Sequence, residues 1–326
     1  MEKILDGFKK ESIERAVKVL EEGGLVVFPT ETVYGLGANV FNPIAVSKIF
    51  EVKKRPKFDP LIVHVGDIGY VERLAKEFPP LARKLGERFW PGPLTIVLPK
   101  KDEIPEIVTA GLPTVGIRIP SHPVSLELLK RAPFPISAPS ANPFGYLSPT
   151  SVHQIDPQIR NEIDIILDGG PCKVGVESTI ILFEEDKFFL LRPGGLPVEE
   201  IEEIVGKVEI LASPSKPLSP GFLPTHYAPK KPLIIFEDFE EIERKRFKKI
   251  GVLFFRKPAF PIEGIDKFEI LSAKGDLREA ASNLFSALHR LDTSDVEVIF
   301  AEAVVEEGLG RAIMDRLKKA SAKFRI

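Results

Sequence analysis

Residues 23–65 read GGLVVFPTETVYGLGANVFNPIAVSKIFEVKKRPKFDPLIVHV, and this stretch decides the fold class. Residues 25–28 are an apolar run closed by Pro29, the pattern of a buried strand. Residues 30–37, rich in hydroxyls and glycine, read as a turn. Asn42 suits an N-cap and Pro43 the first helical position, so the spacing predicts a helix over 43–52 that Pro56 prevents from continuing. Residues 61–65 form a second apolar strand. Strand, helix and strand in one stretch mark an α/β unit. Thr30, Glu31 and Thr32 at one element end, and Lys53, Lys54 and Arg55 at another, can then meet in a pocket rich in hydroxyls and positive charge. Such a pocket suits an anionic ligand with phosphate or carboxylate groups.

Upstream, Ile13, Ala16, Val17 and Leu20 share a helical face and Gly23 is placed to end that helix. Downstream, short apolar strands are expected at 94–98, 115–119, 136–138, 163–167, 179–183 and 188–191, with helices over 122–131 and 198–205. Residues 1–211 thus read as an α/β domain. Residues 212–232 then hold six prolines, which excludes a helix or a central strand and predicts an extended connector. Beyond it, strands near 233–236, 250–255 and 296–300, with helices over 277–291 and 312–322, predict a small parallel-sheet domain over 233–326.

The 326 residues suffice for two domains, and 44% hydrophobic with 28% charged residues is ordinary for a globular protein. A net charge of -2 gives no overall electrostatic footprint for nucleic acid. Cys172 is the sole cysteine, so an intrachain disulfide is excluded. The start lacks a signal-peptide apolar segment and no apolar run approaches the ~18 residues of a membrane span, so a cytoplasmic location is expected.

Neither a GxxxxGK[ST] loop nor a GxGxxG is present, and His64, His122, His153, His226 and His289 show no metal-ligand spacing. What remains is a set of strand-end and turn positions. Lys53 and Arg55 close a helix, where basic residues also simply complement the helix dipole. Arg118 in TVGIRIP and Arg192 in FFLLRPGG interrupt apolar strands, so each is either ion-paired or faces a ligand cavity. His64 in LIVHV suits a satisfied core histidine as well as a site. Ser140, Asn142 and Ser148 follow a strand in ISAPSANPFGYLSPTS, where turns and caps also use such residues. Residues 175–179, GVEST, form another polar strand entry. Together, hydroxyls, separated arginines and a lysine describe a polyanion pocket without a standard phosphate loop.

PTETVYGLGA, KKRP with PLIVHV, WPGPLT, TVGIRIPSHP, SAPSAN and GVESTI resemble the threonylcarbamoyl-adenylate synthase family, the YrdC-domain proteins, and PGFLPTHYAP resembles its long two-domain form. The resemblance implies a YrdC-like twisted-sheet domain with a concave basic pocket, a connector, and a smaller Rossmann-like domain. It implies a nucleotidyltransferase reaction in which L-threonine, bicarbonate and ATP give threonylcarbamoyl-adenylate and pyrophosphate, with magnesium arriving on the nucleotide. The product would serve tRNA modification through downstream transfer proteins, with no membrane involved. Carried over by position, Lys53, Arg55, Ser140 and Asn142 form the KxR and SxN elements. Threonine contacts fall on Thr32, His64, Arg118, Ala138 and Ser178, and nucleotide contacts on Arg55, Asp59, Thr114, Ser140, Ser148 and Arg192. Family members can carry Asn at Asp59, where a carboxylate would repel phosphate unless magnesium intervenes. Relatives can carry Tyr where Pro224 stands, which leaves His226 or Tyr227 to reach the nucleotide from the connector. The rival reading is a non-catalytic RNA-binding module, which would spread basic residues over an outer face. A carbamoyl-transfer maturation enzyme would bring zinc-finger cysteines, and these are missing.

Overall fold

Phe28 and Gly35 face each other across an antiparallel ladder, so the chain folds back on itself straight after its first buried apolar run. The computed structural model describes residues 3–184, 186–211, 219–221, 223–242, 246–259 and 264–324. The first domain contains strands β1 (Ile4–Asp6), β2 (Val26–Phe28), β3 (Gly35–Asn39), β4 (Ile62–His64), β5 (Leu94–Pro99) and β6 (Thr114–Arg118). It continues with β7 (Ile136–Ser137), β8 (Ile165–Asp168), β9 (Thr179–Glu184), β10 (Lys187–Arg192) and β11 (Glu209–Ile210). These lie in one mixed sheet in the order β1-β8-β2-β3-β7-β4-β6-β5-β9-β10-β11.

The turn expected over 30–37 ends early. Gly35 to Asn39 is strand β3, because Gly37 and Gly35 meet Val26 and Phe28 across the ladder while Ala38 and Asn39 pair with β7. Pairing overrides the local turn preference of glycine. Alternate residues of β2 feed different cores. Val26 and Phe28 pack with Ile13, Leu20, Val124 and Leu128 of the helices Lys10–Glu21 and Pro123–Arg131. Val27 packs on the opposite face with Ile49 and Phe50 of the helix Pro43–Lys53. Burial on both faces explains why the strand reads as a continuous apolar run.

The helix Pro43–Lys53 begins as the sequence predicts, with the Asn42 side chain accepting from Ala45 N at 3.1 Å. It ends at Lys54, whose left-handed backbone (φ 54°) turns Arg55 inward.

The second domain is a parallel sheet of β12 (Leu233–Phe236), β13 (Ile250–Phe254), β14 (Lys267–Ile270) and β15 (Val298–Glu302), in the order β12-β15-β13-β14. Its parallel character is as expected; β14 is an edge strand that the pattern did not signal. Leu284, Phe285 and Leu288 of the helix Leu277–Asp292 share one core with Val33, Leu147 and Val176 of the first domain. Gly175 permits that approach: its φ is +75°, and a Cβ there would lie 2.4 Å from Ser282 O. Within the connector, residues 212–218 and Phe222 lie outside the described residues.

Candidate active site

Strand ends of the large sheet surround a partly open cavity. β4 ends in His64 and β6 in Arg118, register partners in adjacent strands. β7 runs into Ala138 and Ser140, Ser178 precedes β9, and β10 ends in Arg192. All six line the cavity, together with Arg55, Thr30 and Glu177.

The sequence left two readings open for Arg118, and both hold. Its guanidinium lines the cavity and is also paired: Nη2 donates to Glu31 Oε1 at 2.7 Å and to Thr32 Oγ1 at 2.9 Å. The other Glu31 oxygen accepts from Ser121 N at 2.9 Å, which fixes the carboxylate that orients the arginine. Thr32 itself is fully buried behind this pair, off the cavity wall. His64 is buried beside Arg118. Burial, reinforced by that positive charge, pushes its imidazole down to about 3, so it is neutral at physiological pH.

Arg55 donates from Nε to Asp59 O at 3.1 Å and from Nη2 to Pro60 O at 2.8 Å, while Asp59 Oδ2 lies 2.8 Å from Nη2. Burial pulls the Arg55 guanidinium down and pushes the Asp59 carboxyl up, and the attraction between them opposes both shifts. Asp59 is therefore a buried partner of Arg55, off the cavity wall. The neighbouring Arg55 guanidinium, 2.8 Å from Oδ2, offsets the Asp59 charge that was expected to repel phosphate.

Lys53 is also off the wall. Its ammonium donates to the carbonyls of Ser140, at 2.6 Å, and Asn142. Burial, with repulsion from Arg55, drives its proton affinity well below the ordinary lysine range. The Asn142 amide donates to Pro143 O at 2.8 Å and to Tyr146 O at 2.9 Å, folding its own loop. Lys53 and Asn142 thus present Ser140 to the cavity from behind.

Arg192 donates from Nη2 to Ser178 O at 2.9 Å and from Nη1 to Pro220 O at 3.3 Å, tying the site to the connector. Ser178 Oγ is 2.8 Å from Thr95 Oγ1. Ser148 donates to Glu177 Oε1 at 2.5 Å and reaches the cavity only through that carboxylate. Thr114 lies in an adjoining cleft, lined mostly by apolar side chains, which shares Ile62 and Pro220 with the first.

Some wall residues were not assigned from sequence, whereas His226 and Tyr227 were already candidates. Glu177 stands in the GVEST segment, but its neighbour Ser178 drew the assignment. Pro220 and Gly221 come from the connector, as do His226 and Tyr227. Pro224 is exposed and off the wall, whereas His226 and Tyr227 line the cavity. Burial pushes the Tyr227 hydroxyl up to about 12.

Residues 18–194 match the Sua5–YciO–YrdC domain family, described as telomere recombination. Residues 196–322 match the threonylcarbamoyl-AMP synthase C-terminal domain. The threonylcarbamoyl-AMP synthase of Pyrococcus abyssi is 44% identical over 324 residues, covering 96% of this chain and 95% of the relative. That of Bacillus subtilis is 43% identical over 321 residues, covering 95% and 92%. The crystal structure of P. abyssi Sua5 complexed with L-threonine superposes with a TM-score of 0.88 at 43% identity, over 96% of this chain and 95% of that one. With both domain families matched in order and full-length relatives carrying one activity, the chain belongs to the threonylcarbamoyl-AMP synthase family, in its two-domain form.

Proposed function

We propose that this chain acts as a nucleotidyltransferase, joining L-threonine, bicarbonate and ATP into threonylcarbamoyl-adenylate with release of pyrophosphate. The observation that carries the reading is one cavity with three guanidinium groups, Arg55, Arg118 and Arg192, beside the hydroxyls of Thr30, Ser140 and Ser178. Arg118 suits the amino-acid carboxylate, since an arginine fork matches that planar group. The P. abyssi relative has been crystallised in complex with L-threonine, which supports threonine as a ligand of this fold. Arg55 and Arg192 would face the phosphates, with Ser140 between them. The adjoining apolar cavity at Thr114 would take the nucleobase.

Threonine's amine would add to bicarbonate or its carbon dioxide to give a carbamate, whose oxygen attacks the α-phosphorus while pyrophosphate leaves. No protein nucleophile is required. The residues would act by holding two anions together and by stabilising charge on the transferring phosphoryl group. Among the described residues no three His, Cys, Asp or Glu side chains converge as a metal cage, so a magnesium ion would be held mainly through the phosphate oxygens. A partner that consumes the adenylate would pass the threonylcarbamoyl group to tRNA. The three arginines are only 3–7% exposed, a poor arrangement for gripping an RNA backbone. The described residues contain no helix long and apolar enough to cross a membrane.

The test is pyrophosphate release from ATP, which is expected to require both threonine and bicarbonate. Equal release with either omitted rejects the reaction.

A further inference from the structure

Glu177 is the one acidic side chain on the cavity wall among the described residues. A carboxylate there opposes a polyanion unless something offsets it. The partner comes from the other domain, 139 residues away in sequence. Arg316, on the helix Leu309–Ala322, has no exposed side-chain surface, and its Nε donates to Glu177 Oε2 at 2.7 Å. Nη1 donates to Pro193 O at 3.0 Å, and the guanidinium carbon sits 4.6 Å from the centroid of the Tyr227 ring. The second Glu177 oxygen holds the Ser148 hydroxyl. One turn on, Lys319 donates to Gly221 O at 2.8 Å, in the connector. A single helix of the C-terminal domain therefore touches an acid, an aromatic ring and a backbone turn of the cavity wall.

We propose that Arg316 is a positioning residue for the nucleotide, inserted by the C-terminal domain to neutralise Glu177 and fix Ser148 and Tyr227. The cavity accepts a nucleoside triphosphate well only with that guanidinium in place. Charge supports this: burial alone would raise the Glu177 carboxyl, and Arg316, followed by Arg192, outweighs it and holds the group ionised. Arg192 is already committed to Ser178 and Pro220, which leaves Arg316 as the direct partner. An alternative role as a passive brace between domains would affect stability without distinguishing ATP from threonine.

The inference rests on the nucleotide reading of the cavity, and the full-length protein tests both by calorimetric titration. Arg316→Met is expected to raise the ATP Kd on the order of 30-fold, because it strands a buried carboxylate in the anion site. The threonine Kd should stay within about threefold, since Arg118 is untouched. Adding Glu177→Gln to that variant should return the ATP Kd to within about threefold of the unaltered protein. Arg316→Lys, which keeps the charge without the fork, should fold and lose roughly three- to tenfold in ATP affinity. Unchanged ATP binding in Arg316→Met or Arg316→Lys overturns the inference. So does an equal loss for ATP and threonine, or no recovery with Glu177→Gln. An unaltered protein that binds no ATP overturns the nucleotide reading and this inference with it.

Discussion

The two sheets of this chain share a covalent backbone and part of a hydrophobic core but use their strand ends differently. In the large mixed sheet, β4, β6 and β10 end in His64, Arg118 and Arg192, around a cavity whose wall holds three guanidinium groups. In the small parallel sheet, β12, β13 and β14 end in Phe236, Phe254 and Ile270, and β15 ends in Glu302, which accepts from Phe255 N at 2.7 Å. Open parallel sheets usually bind ligands at those carboxyl ends. Here that end is mostly apolar, and among the charges that reach beyond the domain are Arg316 and Lys319 on the helix Leu309–Ala322, which bond Glu177 of the first domain and Gly221 of the connector. The comparison teaches that fold type alone does not locate the chemistry; the placement of a few enclosed charges does.

The largest expected effects lie in the first sheet. Arg118→Ala should mainly raise the threonine Kd and Arg55→Ala mainly the ATP Kd, each by about 30- to 1,000-fold, as for truncation of a buried charged contact. Titration showing unchanged threonine affinity in Arg118→Ala would break the assignment of that strand end. The next effect concerns the connector between the two regions. Tyr227 lines the cavity and is itself 1% exposed, and we propose that it also covers the site. Tyr227→Ala is expected to lower the yield of adenylate per pyrophosphate released several-fold, because water gains access to a labile product. A yield equal to that of the unaltered chain would leave the connector as a mere spacer.

A histidine from each domain sharpens the contrast further. Burial pushes His64 down to about 3 and His289 down to about 4. In the unfolded chain both titrate near 6.5, so acid favours unfolding. Their contribution is complete above that pH and is lost as pH falls toward 4 for His289 and toward 3 for His64. Each adds a slope of about 1.4 kcal/mol per pH unit within its window. Denaturant titrations from pH 7 to pH 4 should show a shallower acid limb for His64→Gln and for His289→Gln. An unchanged limb in either variant would mean that histidine is not held neutral. The smallest effect belongs to neutral docking contacts. Thr150 Oγ1 and Ser286 Oγ lie 2.9 Å apart across the interface, and Ser286→Ala should reduce stability by about 1 kcal/mol. Its ATP affinity should match the unaltered chain, in contrast to Arg316→Met.

Much of this architecture was legible because both faces of the strands are buried, so β2, β4 and β5 read as apolar runs bounded by proline and glycine. Arg118 and Arg192 stood out as charges inside such runs. The region of β3 misled because Gly35 and Gly37 carry turn preference, and only pairing with β2 and β7 makes it a strand. β14 was missed because its edge position leaves Lys267 and Phe268 exposed and only Ile270 packed against the core, too little to show a pattern. Arg316 left a fainter signal: it occupies the buried stripe of its helix with Ala312, Ile313, Leu317 and Ala320. A charge on an apolar face asks for a partner, but Glu177 lies too far along the chain for a local pattern to identify it. The roles of Lys53 and Asp59 were blurred for a related reason, since each acts on a neighbour behind the wall.

The most direct test of the central claim, that this cavity brings threonine and nucleotide together, is mass spectrometry of the full-length protein's products. The protein would be supplied with ATP, L-threonine and isotopically heavy bicarbonate. The account predicts threonylcarbamoyl-adenylate carrying the heavy carbon, formed in step with pyrophosphate and lost when threonine is withheld. Pyrophosphate without that adduct, or an adduct lacking the heavy carbon, would contradict it.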